Sequence, residues 1–236
     1  MRILAGPMSY LLTWIYDLIG NYGLALIAFT VLVKVVMYPL YAKQIKTTTN
    51  MSKMQPKIKE IQQKYAKDKT LMNEKMSELY KEEGGSMYGG CLPMLVQMVV
   101  IMGLFSLLRN PMNYISSDSM LFAIHEEFLW IPDLSQPDKW ILPVVAGIAT
   151  FIATYFSQTN QTAGPNAEQM QVMNKVMKYF FPVMILVMAR SYPAGLAIYW
   201  SLNQIIQIFY NIHFAKMKKK MLGETKKKKK KKVARA

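Results

Sequence analysis

Five apolar stretches alternate with charged or polar blocks along the chain, over residues 23–41, 89–108, 140–156, 176–189 and 194–214. At about 1.5 Å of rise per residue the first would be a helix about 28 Å long, close to the hydrocarbon thickness of a bilayer. The pattern predicts an all-α integral membrane protein with five transmembrane helices. The fourth stretch is short for a span and carries Lys178 near its start, so it calls for snorkelling, a locally thinner bilayer, or both. Ahead of the first span, Tyr10, Leu11, Trp14, Ile15 and Leu18 recur at helical spacing behind Pro7. They predict an interfacial helix over residues 7–19, its aromatics at headgroup depth.

The block between the first two spans has its own periodicity. Met51, Met54, Ile58, Ile61 and Tyr65 form one narrow apolar seam, and Met72, Met76 and Leu79 form another. Two such seams predict an antiparallel helical hairpin over residues 46–84, standing in water, with its turn at 66–70. Pro56 falls early in the first seam, so that helix either begins near it or is kinked there. Residues 1–215 read as one domain. Residues 216–236 hold twelve lysines and arginines against Glu224 alone, and are expected to form a disordered basic tail.

Charge adds an orientation. The chain carries a formal net charge of +15. Residues 42–90 hold ten lysines against six carboxylates, whereas residues 109–139 hold two cations against five carboxylates. The positive-inside rule therefore places the hairpin, the connector at 157–175 and the tail in the cytoplasm, with the N-terminus outside. The composition also excludes chemistry. Cys91 is the single cysteine, which rules out an internal disulfide or a thiolate cluster, and the sequence has neither HExxH nor a phosphate-loop pattern. None of the five stretches contains Asp or Glu, and the one histidine, His213, stands at the very end of the fifth, which argues against a carboxylate proton relay, a Na⁺ site or a serine-type intramembrane protease. No enzyme, metal or cofactor is expected.

The candidate chemistry centres on Lys34, about 16 Å along the first span from Gly23. An ammonium at that depth costs on the order of 3 kcal/mol, so either its stem snorkels to a headgroup or it faces a wet, protein-lined cavity. Thr30 precedes it by one helical turn and shares its face. On the fifth span Trp200, Asn203, Gln204, Gln207 and Asn211 fall within an arc of about 100°. Gln97 is the strongly polar member of the second span. Such groups serve either as interhelical hydrogen-bond glue or as the lining of one hydrophilic recess. In the tail Lys226, Lys227, Lys228, Lys229, Lys230, Lys231 and Lys232 form an unbroken run. It would suit RNA phosphates of a ribosome, anionic lipid, or simple solubilisation.

At VKVVMYP (33–39), MQPKI (54–58), GGCLPMLVQM (89–98) and YPAGLAIYW (192–200) the chain resembles the YidC/Oxa/Alb family of membrane protein insertases, over nearly its whole length. It is most similar to the compact members from Gram-positive bacteria. The resemblance implies a groove open to the cytoplasm and to lipid but closed on the outer side. Lys34 would take the place usually held by an arginine, keeping the charge without the planar fork. Thr30, Gln97 and Trp200 would match groove-lining positions. The implied activity is insertion and chaperoning of membrane proteins in a bacterial plasma membrane. The groove would admit polar parts of a nascent chain and release apolar segments to lipid. Its partners would be nascent membrane proteins, the ribosome, anionic lipids, the Sec translocase and targeting factors. Many compact relatives begin with a lipidated cysteine, and none stands near Met1 here. The rival readings are an anion channel or transporter that uses Lys34 as its binding site, and a scaffold that docks ribosomes. The channel is disfavoured because no internal repeat is visible.

Overall fold

The computed structural model describes residues 2–82, 92–115, 117–160 and 175–233. The end of the expected hairpin, the start of the second span with Cys91, and most of the 157–175 connector lie outside them. Among the described residues the fold is helical, with one isolated β-bridge between Phe128 and Ile131.

Helix α1 (Arg2–Ile19) buries Ala5, Leu12 and Ile15 and leaves Tyr10, Trp14 and Leu18 exposed. Gly20, in the left-handed region at φ +69°, ends it, and the Asn21 side chain accepts the Leu24 N–H at 3.0 Å to start the next helix. Helix α2 (Tyr22–Lys64) then runs without a break for 43 residues, through Pro39 and Pro56. The first span and the first helix of the hairpin are therefore one continuous helix, and the latter does not begin near Pro56. Each proline deletes one backbone donor, but the flanking hydrogen bonds hold, and Thr47 and Thr49 bond back to Lys43 and Ile45 carbonyls within the same helix. After a turn in which Asp68 accepts the Thr70 and Leu71 N–H groups, α3 (Lys69–Glu82) packs on α2 through Met54, Ile58, Met76, Leu79 and Tyr80.

Helix α4 (Leu92–Arg109) leads through a 3₁₀ turn (Pro111–Asn113) to the short α5 (Asp118–Ala123). Helix α6 (Ile141–Asn160) follows the acidic loop. A π-helical turn (Val176–Phe180) opens onto α7 (Phe181–Ala189). Helix α8 runs from Ala194 to Val233, so the backbone of the basic tail is helical where a disordered segment was expected. Lysine is a good helix former and the stretch holds no proline, although like charges one turn apart oppose it. The Tyr22–Ile45 part of α2 is long and apolar enough to cross a membrane.

The acidic loop ties one end of the bundle together. Glu126 accepts both the Tyr16 hydroxyl and the Tyr22 backbone N–H at 2.8 Å. Carbonyls of Gln136 and Leu134 accept the first N–H groups of α8, from Ala194 and Gly195, which the helix itself cannot satisfy. Gly23 is required here, because a Cβ would fall on the Phe128 ring. The main apolar core lies at this loop end: Leu12, Leu26, Phe29, Leu104, Leu107, Met120, Leu134, Ala146 and Tyr199 are buried together. Small residues let helices approach closely, as where Gly147 of α6 faces Leu186 of α7. A second, aromatic-rich cluster of Met37, Tyr41, Ile45 and Phe214 joins α2 to α8 nearer the hairpin.

Candidate functional site

Between these two apolar layers α2, α6 and α8 bring polar groups together. Lys34 lies twelve residues beyond Tyr22, about 18 Å along α2, and is only 2% exposed. Its stem does not reach out to an interface. The ammonium donates to Gln207 Oε1 at 2.9 Å and stands 5.3 Å from the centre of the Tyr41 ring. No carboxylate among the described residues pairs with it. An ammonium has three donors, and Gln207 takes one.

The amides behind Lys34 are oriented by a backbone group. The Ala153 carbonyl of α6 can only accept, so Asn211 turns its Nδ2 toward it, at 2.9 Å. Asn211 Oδ1 is then left to accept Gln207 Nε2, at 3.1 Å. That sets the Gln207 amide with its oxygen toward Lys34. The relay Ala153–Asn211–Gln207–Lys34 thus presents an acceptor to the cation across three helices. Tyr210 adds a bond from its hydroxyl to the Lys34 carbonyl, at 3.0 Å, and packs edge-on against Tyr38 and Tyr41.

The other expected residues are placed differently. Thr30 is buried on the face of Lys34, but its hydroxyl donates to the Leu26 carbonyl of its own helix at 2.6 Å. Trp200 donates to Thr150 Oγ1 of α6 at 2.9 Å and packs on Phe181. Asn203 is buried one turn ahead of Gln207, and Gln204 is half-buried beside it. Gln97 lies on α4 and Lys226–Lys232 lie on α8, but their side chains are outside the described residues. Sequence reasoning missed Thr150, Tyr41, Tyr210 and the Ala153 carbonyl. Thr150 and Thr154, one turn apart on an otherwise apolar span, were the available signal; a carbonyl leaves none.

A helical bundle with an apolar run of membrane length and a cation enclosed among neutral amides has the character of a helical membrane protein, and no catalytic group is evident among the described residues. Comparison with known proteins agrees. The family model described as "60Kd inner membrane protein" matches residues 14–221. A membrane protein insertase YidC of Fusobacterium nucleatum is 36% identical over 202 residues, covering 85% of this chain and 89% of that protein. YidC 2 of Listeria innocua is 34% identical over 212 residues, covering 87% of this chain and 68% of its own length. The YidC of Oleidesulfovibrio alaskensis is 37% identical over 206 residues, but the match spans only 37% of that longer protein. A crystal structure described as an active YidC insertase with its first transmembrane domain resolved superposes with a TM-score of 0.58 at 29% identity, covering 89% of this chain and 45% of that one. The chain belongs to the 60Kd inner membrane protein family, the family of YidC insertases.

Proposed function

We propose that the chain inserts membrane proteins by giving the polar part of a nascent segment a temporary partner at bilayer depth. The observation that carries the reading is Lys34, nearly fully enclosed, held by a neutral amide and left without a carboxylate. A cation so placed costs the fold several kcal/mol unless something else uses it. Its remaining donors suit the carboxylates and carbonyls of a guest chain, and Asn203, Gln204 and Gln207 supply further hydrogen-bonding capacity along α8, with Trp200, its N–H held by Thr150, offering its ring. Thr30 and Gln97 would complete the lining. The apolar part of the guest would leave for lipid, drawn by about 25 cal/mol per Å² of buried surface.

In this reading five spans cross the plasma membrane, with the N-terminus outside and the hairpin and C-terminus in the cytoplasm. The groove would open toward the hairpin end by parting the Met37, Tyr41, Ile45 and Phe214 cluster, and the larger apolar core at the loop end supports closure on the outer side. The α2–α3 hairpin meets targeting factors or the Sec translocase first. The lysine run Lys226–Lys232 holds the ribosome through RNA phosphates, with anionic lipid as its competitor.

Purified protein in vesicles tests the function. A small single-span client should insert with the wild-type chain and with Lys34→Arg, and poorly with Lys34→Glu. Saturable flux of a small anion that depends on Lys34, without client insertion, would establish a channel instead.

A further inference from the structure

A second group of polar and charged side chains lies away from Lys34, at the loop end of the bundle. Two cavities, of about 210 and 320 Å³, share Arg109, Pro111, Ile124 and His125 as walls. Arg109 is the last residue of α4, where a cation suits the carbonyl-rich helix end without needing any ligand. Its side chain is exposed and forms no ion pair among the described residues. The segment at 109–139 holds five carboxylates, none of which pairs with Arg109, and the guanidinium stands over the face of Phe105 at 5.5 Å. Three of the five acids are engaged elsewhere: Glu126 on Tyr16 and Tyr22, Asp133 on His125 and Ser135, Asp138 at the start of α6.

The rest of the lining is rich in donors. Asn110 and Asn113 line the larger cavity. His125 has its Nδ1 between Asp133 (3.2 Å) and Ser135 (3.0 Å), which leaves Nε2 as the ring nitrogen for a ligand. Tyr22 lines the smaller cavity; it is 1% exposed, and its hydroxyl is buried with no hydrogen-bond partner. The Arg109 guanidinium and the His125 ring stand in the wall common to both cavities, with the unmet Tyr22 hydroxyl on the smaller one and the two asparagine amides on the larger, a set of donors that suits an anion, best matched by a phosphate.

The rim indicates where the phosphate comes from. Met112, on the 3₁₀ turn, is 83% exposed, and Phe122 of α5 is 78% exposed. Met112 lines the larger cavity, and Phe122 follows Leu121 of its wall. A free anion gains nothing from them, whereas a lipid with its phosphate at Arg109 would lay its chains over both. We propose that the Arg109–His125 pocket binds the phosphodiester headgroup of an anionic phospholipid in the leaflet at the loop end. This site is separate from Lys34 and does not depend on the insertion reading.

Photolabelling of the full-length protein with a diazirine-tailed phosphatidylglycerol in vesicles tests it. The segment from Met112 to Phe122 should be labelled, and Arg109→Gln should lower that labelling about tenfold, as expected for loss of a charge-assisted contact. Labelling near Lys178, whose ammonium stands over Tyr155 and Tyr179 at the other end of the bundle, should persist and so report an intact fold. Arg109→Lys should retain part of the signal. Equal labelling of the Met112–Phe122 segment by a phosphatidylcholine analogue, or labelling that survives Arg109→Gln, would overturn the proposal. Full competition by soluble glycerol phosphate would assign the pocket to a free anion and overturn the lipid assignment.

Discussion

Replacing Lys34 by methionine should move stability and function in opposite directions. The side chains are similar in size, so the stem's packing is kept while the charge goes. The ammonium is 2% exposed, and burying an ion costs several kcal/mol even after relaxation. Against that stand one hydrogen bond to a charged group, about 1.5–3 kcal/mol, and the contact with Tyr41, about 2 kcal/mol when desolvated. Gln207 is only half-buried, so its freed oxygen can find water. The balance predicts that Lys34→Met stabilises the chain by about 1–4 kcal/mol, as when buried ions are replaced by apolar residues. For a chain of this length that raises the midpoint by about 2–4 °C per kcal/mol. The assay is thermal unfolding in one detergent beside client insertion in vesicles, where the variant should lose most of its activity. A variant that melts lower would make the cation a structural element, and one that inserts normally would leave the charge without a role. Either result refutes the reasoning.

Three further outcomes are expected. Gly23→Ala should cost about 1–3 kcal/mol in thermal unfolding, because its methyl meets the Phe128 ring, whereas Gly6→Ala, with nothing within 4 Å, should gain about 0.5–1 kcal/mol. Asn211→Leu removes the bonds to Ala153 and Gln207 and should cost about 1–3 kcal/mol, with a partial loss of insertion as the Gln207 amide is freed to turn. Burial alone would raise the Asp138 carboxyl, but hydrogen bonds from the Trp140 and Leu142 N–H groups and from Trp130 outweigh it and hold it below the usual carboxylate range. A depressed folded-state value gives stability that is present above about pH 4 and lost as pH falls through the folded value. Midpoints measured from neutral to acid pH should fall less steeply in Asp138→Asn than in wild type.

The helical character of the chain is legible in its periodicities, and so is the singularity of Lys34 within an apolar run. The stripe on the last helix points to Gln207, which the structure sets against Lys34, since polar residues three and four apart must share a face. Helix continuity is less legible. Pro56 suggests a helix start or a kink, yet α2 passes through it as it does through Pro39, because one missing donor does not outweigh the bonds on either side. The partners of the stripe are hidden for a different reason. Trp200 and Thr30 look equivalent to Gln207 in sequence, but Thr150 takes the indole N–H and the Leu26 carbonyl takes the threonine hydroxyl. Only the packing of α6 on α8 settles which polar group meets which. Arg109 gives no periodic signal, because its interest lies in the acids that do not pair with it.

The claim that the enclosed cation and its amides receive guest chains is tested most directly by disulfide crosslinking from α8. With Cys91 replaced by serine, a cysteine at Gln204 should crosslink to a cysteine in the polar segment of a ribosome-stalled single-span client. A cysteine at Phe209, which is 66% exposed, should react instead with the client's apolar segment or not at all. Crosslinking of the polar segment at Phe209 and none at Gln204 would contradict the account.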